Sequence, residues 1–275
     1  MNRGDTWAGL ALPLVAAGLL VLAAARRGSQ PNYARVTREG GTAFLSERLM
    51  QRGYAWVDCL AAGAVRMGIG ADAVSWLSLA LGLVAGLLVA RGWLGGAAWA
   101  LALSGLGDGV DGAVARRQHT ISKAGAVLDS ALDRYVEFFF FGGLLYFFRD
   151  SPVSQLLVML ALCGGFMVTY STAKAEALQI TPPRGWMKRP ERMVWLIGGA
   201  ALAGAAPMGR LSPAPIMLGV VALIAVFAHA STLRRLRALS AAATTKSASD
   251  LTGGNGGNRG DDFPADHADK RGLDA

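Results

Sequence analysis

Charge is scarce in this chain. Of its 275 residues only 17% are Asp, Glu, Lys or Arg, and acids are the rarer sign, 19 against 27 basic residues. With 53% hydrophobic residues and a mean hydropathy of +0.37, the composition is that of a membrane protein rather than of a solvated or disordered one. Cysteine is nearly absent as well. Cys59 and Cys163 have no metal-ligand spacing, which excludes a thiolate metal site and predicts two small buried thiols. No nucleic-acid motif accompanies the formal charge of +8. Arg and Lys stand at the ends of apolar runs, a placement that suits anionic lipid.

Where acids are few, their positions carry weight. Four lie between residues 108 and 133, in DGVDGAVARRQHTISKAGAVLDSALD. Each helical residue turns about 100°, so Asp108, Asp111, Gly112 and Ala115 share one face. Asp129 and Asp133 share another, one turn after Gly125. A carboxylate in the middle of a membrane helix costs roughly 2.5–3.5 kcal/mol, and such residues mark sites. Trp93 to Asp108 is 15 residues, as is Asp133 to Phe148. At about 22 Å of helix each, the two acid pairs lie at matched depth in a core roughly 30 Å thick. Helix-end caps would not require that match. Oxygen ligands of this kind suit magnesium, manganese or calcium rather than zinc or copper.

The spacing D-x2-D-G-x2-A-R-x8-G-x3-D-x3-D, filled by Asp108, Asp111, Gly112, Ala115, Arg116, Gly125, Asp129 and Asp133, resembles the signature of the CDP-alcohol phosphotransferase (phosphatidyltransferase) family. Eight fixed positions match by chance on the order of 10⁻¹⁰ per starting point. The resemblance implies a CDP-activated lipid, CDP-diacylglycerol, whose phosphatidyl group passes to a polar alcohol with release of CMP. It implies Mg2+ or Mn2+, two ions, held by Asp108, Asp111 and Asp129, with Asp133 a ligand or near-ligand and the base that accepts the hydroxyl proton. Gly112 and Gly125 would let the nucleotide approach the helix backbone, Ala115 completes the motif, and Arg116 would pair with a phosphate. A cation transporter using the same acids is the rival from another class, but it needs neither this spacing nor a phosphate-pairing Arg.

In chain order, Trp7 to Ala25 is an apolar run just long enough to span. Arg26 and Arg27 follow the run rather than precede it, which favours a retained helix over a cleaved signal peptide. Residues 28–42 form a polar linker. Ala43 to Met67 mixes apolar residues with Glu47, Arg48, Arg52 and Arg66, as a helix lying along the interface does, with Gly53 a possible break. Six spans follow: Val74–Ala90, Leu94 into the motif, Gly125–Phe148, Ser154–Glu176, Met193–Met208 and Pro215–Leu233. The expected fold is therefore all-α and integral to the membrane. It comprises a six-helix transmembrane bundle, an N-terminal interfacial helix and one extra N-terminal transmembrane helix. Residues 1–42 are the N-terminal helix and linker, 43–237 the catalytic domain and 238–275 a disordered tail. Within the run Phe138 to Phe141 not all side chains can share a face, so packing and lipid contact are their expected roles.

Eighteen basic residues fall on one side of this arrangement, while the turns on the other side hold only Arg91, Arg149 and Arg210. The bias places the acids at the cytoplasmic face of a multi-pass protein, in a bacterial cell membrane if the resemblance holds, where a homodimer is possible. Asp72 and Ser75 keep part of a turn that in the family helps hold the nucleotide, although Asp72 reads equally as a helix cap. Residues 169–176 (TYSTAKAE) and 187–193 (MKRPERM) resemble stretches of bacterial phosphatidylinositol phosphate synthases that surround a phosphorylated polyol. The implied acceptor-binding residues are Lys174, Arg189 and Arg192, joined at the same mouth by Arg134. The chain departs from the pattern at Thr172, where a basic residue is usual. Inositol phosphate is the expected acceptor, and glycerol 3-phosphate the alternative.

Overall fold

The computed structural model describes residues 3–25, 47–181 and 185–253, and within them every regular element is a helix. In chain order these are α1 (Arg3–Ala25), α2 (Glu47–Arg66), α3 (Ala71–Ala90), α4 (Leu94–Arg117), α5 (Lys123–Phe147), α6 (Pro152–Ala177) and α7 (Arg189–Ala205). A short 3-10 turn (Ala206–Gly209) then leads into α8 (Pro213–Gly253). Local chemistry sets the ends. Ser122 caps α5 by accepting the Gly125 N–H at 2.9 Å, and Ser151 with Pro152 starts α6. The tight α3–α4 turn needs a left-handed residue and has one in Gly92, at φ +74.

Four of these helices are long and apolar enough to cross a membrane: 3–22, 71–90, 152–177 and 213–244. The motif helices α4 and α5 carry charge, and α7 has only 17 residues. They are held by packing instead, α4 and α5 against α3 and α7 against α4 and α8. Fully buried Leu94, Leu101, Phe140, Phe141, Leu144, Leu196 and Ile224 fill the common core. Helices already in lipid gain little from burying apolar surface, so close contact decides which pairs form. A Cβ at Gly143 would strike the carbonyl oxygen of Gly86, which is how α3 and α5 meet backbone to backbone.

The N-terminal helix is part of this packing. A Cβ at Gly9 would lie 2.6 Å from the Ala201 carbonyl oxygen, so α1 touches α7 directly. Asp5 is buried, and its Oδ1 accepts the Gly96 N–H at 2.8 Å, capping α4 from another helix; Trp99 Nε1 donates to the Ala8 carbonyl at 2.9 Å. On the opposite side α2 lays Ala61 and Ala64 against Val110, Ala113 and Val114 of α4. A two-pronged ion pair, Arg117 to Asp58 at 2.8 and 3.2 Å, ties the end of α4 to the middle of α2.

Several expectations need correcting. Gly53 breaks nothing, since α2 runs through it. Cys59 and Cys163 are both exposed rather than buried. In a lipid-facing helix an apolar setting in sequence does not distinguish the packed face from the bilayer face. The last helix continues past residue 237 to Gly253, because SAAATTKSAS is Ala-rich and lacks Gly and Pro, so no disordered tail begins at 238. The expected linker (28–42), the start of the catalytic domain at 43 and the chain after 253 lie outside the described residues. Phe140 and Phe141 are buried while Phe138 is exposed, the division expected of that run.

Candidate active site

The C-terminal end of α4 and the first half of α5 bring the motif acids together from two helices. Asp108, Asp111 and Asp129 each offer a carboxylate oxygen, and these oxygens all lie within 4.8 Å of one another. Asp111 is buried and doubly held. Its Oδ2 accepts from the Ser75 hydroxyl at 2.5 Å and its Oδ1 from the Gly112 N–H at 2.5 Å. Ser75 comes from α3 and Gly112 from α4, so two helices fix this carboxylate. The donor set is hard oxygen throughout, with one member rigidly oriented, and it fits a divalent cation of the magnesium or manganese kind.

Asp133 joins the cluster through a long-range contact. Arg189, at the start of α7, places Nη1 2.6 Å from Asp108 Oδ2 and Nη2 2.5 Å from Asp133 Oδ1. The space among the four acids, Ser75 and Arg189 is about 10 Å³, room for one water-sized group. On its far side opens a larger cavity of about 340 Å³, whose polar walls include Arg134, Lys188, Arg189, Arg192 and Arg235. Asp133 and Arg189 line both spaces. They form the partition between an acidic cluster and a basic chamber.

Other residues singled out in the sequence sort by position. Gly112 is open apart from the Arg116 guanidinium, 3.6 Å from where a Cβ would stand; Arg116 is exposed over it. Ala115 is half-buried, its carbonyl accepting the Thr120 N–H at 3.0 Å where α4 ends. Gly125 serves the Ser122 cap. Asp72 is exposed in the first turn of α3; Gly70 is the capping position there, so the cap reading fails. Arg134 donates to the Ser130 carbonyl at the cavity wall. Lys174 is exposed on α6 and is not brought to the cavity. Arg192 does reach it, yet is almost fully buried, with Nη2 at 2.6 and 2.9 Å from the two oxygens of Glu137.

Sequence reasoning missed two residues here. Arg235 of α8, 4% exposed, donates from Nη1 to the Thr172 hydroxyl at 2.8 Å and to Ser171 at 3.2 Å. A guanidinium from another helix thus stands at the position where the residue at 172 itself is neutral. Glu137 is the second. It stands four residues after Asp133, as Asp133 does after Asp129, and continuing that column was the available signal.

A family model described as CDP-alcohol phosphatidyltransferase matches residues 69–246. The chain belongs to that family. CDP-alcohol phosphatidyltransferases are phosphotransferases, and this one is a membrane enzyme of phospholipid synthesis, which sets the transporter alternative aside. Among its relatives, a phosphatidylinositol phosphate synthase of Mycobacterium marinum is 34% identical over 61% of this chain and 73% of that protein. One from Streptomyces avermitilis is 32% identical over 64% and 76%. Two crystal structures of the Mycobacterium tuberculosis phosphatidylinositol phosphate synthase superpose with a TM-score of 0.59. One has CDP-DAG bound, at 28% identity over 66% of this chain and 92% of that one. The other, in complex with manganese and citrate, is 27% identical over 66% and 87%.

Proposed function

We propose that this enzyme transfers the phosphatidyl group of CDP-diacylglycerol to a phosphorylated polyol, inositol phosphate first, with release of CMP. The observation that carries this reading is the shared wall of Asp133 and Arg189, acids on one side and a guanidinium-rich chamber on the other. A phosphorylated alcohol brings about two negative charges that must lose water on entry, and several basic groups in one chamber offset that cost. Its hydroxyl would meet Asp133 at the partition. Asp133 accepts the hydroxyl proton while the oxygen forms its bond to the lipid phosphorus and the bond from that phosphorus to the CMP oxygen breaks. Mg2+ or Mn2+, two ions on Asp108, Asp111 and Asp129 with Asp133 close by, would supply neutralisation of the diphosphate and of the departing CMP. Ser75 keeps Asp111 turned inward, while Gly112, Gly125 and Arg116 lie where a nucleotide diphosphate would approach α4 and α5.

In the membrane we assign six spans (α3 to α8) plus α1, with α2 along the interface. The acids face the cytoplasm, as the positive-inside bias requires. Purified enzyme given CDP-diacylglycerol and a panel of inositol phosphate, glycerol 3-phosphate and free inositol tests the acceptor. Product with inositol phosphate at the lowest KM supports the reading. Preference for glycerol 3-phosphate would retain the chamber but change its ligand, and equal use of free inositol would overturn phosphate recognition.

A further inference from the structure

Glu137 is a buried carboxylate, 2% exposed, that the chemistry above does not use. It lies on α5 one turn beyond Asp133, and both its oxygens engage Arg192 Nη2. Arg192 Nη1 in turn donates to the Met187 carbonyl at 2.7 Å. Met187 is a non-glycine residue at φ +57, a conformation that β-carbon sterics disfavour and that persists only where its surroundings impose it. Both of its backbone groups are held by side chains: the carbonyl by Arg192, and the N–H by Glu191 Oε2 at 2.7 Å. The same turn is docked on α8, with the Trp186 N–H donating to Ser231 and the Arg234 guanidinium over the Trp186 ring. Two residues after Met187, α7 begins with Arg189, whose guanidinium meets Asp108 and Asp133.

These contacts form a continuous chain from α5 out to the turn and back to α5. We propose that Glu137 is a positioning residue for the acceptor: by clamping Arg192 it holds the left-handed Met187 turn, and the turn delivers Arg189 to the wall between the acids and the basic chamber. Glu137 lines the chamber, but both its oxygens are taken up by Arg192, so it acts through that arginine and not on the reacting atoms. Removing the charge of Glu137 would leave Arg192 an uncompensated buried cation at the contact that holds the Met187 carbonyl. The proposal rests on the reading that the chamber takes the acceptor phosphate, and the test separates the two.

Wild type, Glu137→Gln, Glu137→Asp, Arg189→Ala and the Glu137→Gln/Arg189→Ala pair are purified full-length. KM is measured for CDP-diacylglycerol and for the preferred acceptor, inositol phosphate or glycerol 3-phosphate. Glu137→Gln should raise the acceptor KM about tenfold and leave the CDP-diacylglycerol KM within about twofold. Glu137→Asp, keeping the charge on a shorter arm, should fall between. Because Glu137 acts through Arg189, the paired variant should be no worse than Arg189→Ala by more than about twofold. An unchanged or lower acceptor KM, an equal rise in both KM values, or multiplication of the two single effects would overturn the proposal. If Glu137→Gln does not purify as a single species, Glu137→Asp with its own Arg189→Ala pair carries the same comparison. A wild type that uses no phosphorylated acceptor would instead overturn the acceptor reading.

Discussion

At the scale of single residues, the site separates into groups that differ in what they would do when changed. Asp133→Asn keeps the shape of the side chain and removes its ability to take a proton. It should lower kcat by about 10²–10⁴ while CDP-diacylglycerol binding survives, measurable by equilibrium binding. Asp108→Asn or Asp129→Asn should instead raise the concentration of Mg2+ or Mn2+ needed for half activity. The chamber makes a second contrast. Arg235→Ala removes a buried guanidinium from its wall and should raise the acceptor KM about tenfold or more. Lys174 is exposed and outside the lining, so Lys174→Ala should leave that KM within about twofold. The four acids were legible in sequence because charge is rare in membrane helices and their spacing is regular. Arg189 meeting Asp108, and Arg235 meeting Thr172, were not, because each pairs residues more than sixty positions apart whose neighbours look like ordinary positive-inside charge. Lys174 shows the converse, since a matching motif position does not determine which way a helix face turns.

At the scale of elements, helix contacts made by glycine carry consequences that hydropathy does not show. Gly143 meets the Gly86 backbone, so Gly143→Leu must part α3 from α5; overpacking of this kind costs about 1–3 kcal/mol or more. The loss should appear as a lower thermal midpoint in detergent together with lower activity, since α3 carries Ser75 and α5 carries Asp129 and Asp133. The docking of α1 is testable by its cap. Asp5→Ala removes the acceptor for the Gly96 N–H and should cost about 0.5–2 kcal/mol of stability with little change in either KM. Sequence located these helices through apolar runs and turn residues, within a few residues at most ends. It misjudged the end of α8, where the apolar signal stops near 233 while an Ala-rich polar helix goes on to Gly253. It also could not assign the lipid-facing sides, because in these spans both faces are apolar.

At the scale of the whole molecule, the helices hold an oxygen cluster and a cation-lined chamber against one shared wall, and the proposed membrane placement would give the two kinds of substrate separate routes to it. On the proposed placement, the lipid donor would reach the acids from the bilayer, and a phosphorylated alcohol would reach the chamber from the water on the same side. The direct test is to give the purified enzyme CDP-diacylglycerol labelled at its lipid-linked phosphorus, with inositol phosphate, and to follow label and CMP together. The account predicts one labelled phospholipid product per CMP released, no reaction in excess chelator, and recovery on adding Mg2+ or Mn2+. CMP released with the label left on phosphatidic acid, or full turnover in excess chelator, would contradict it.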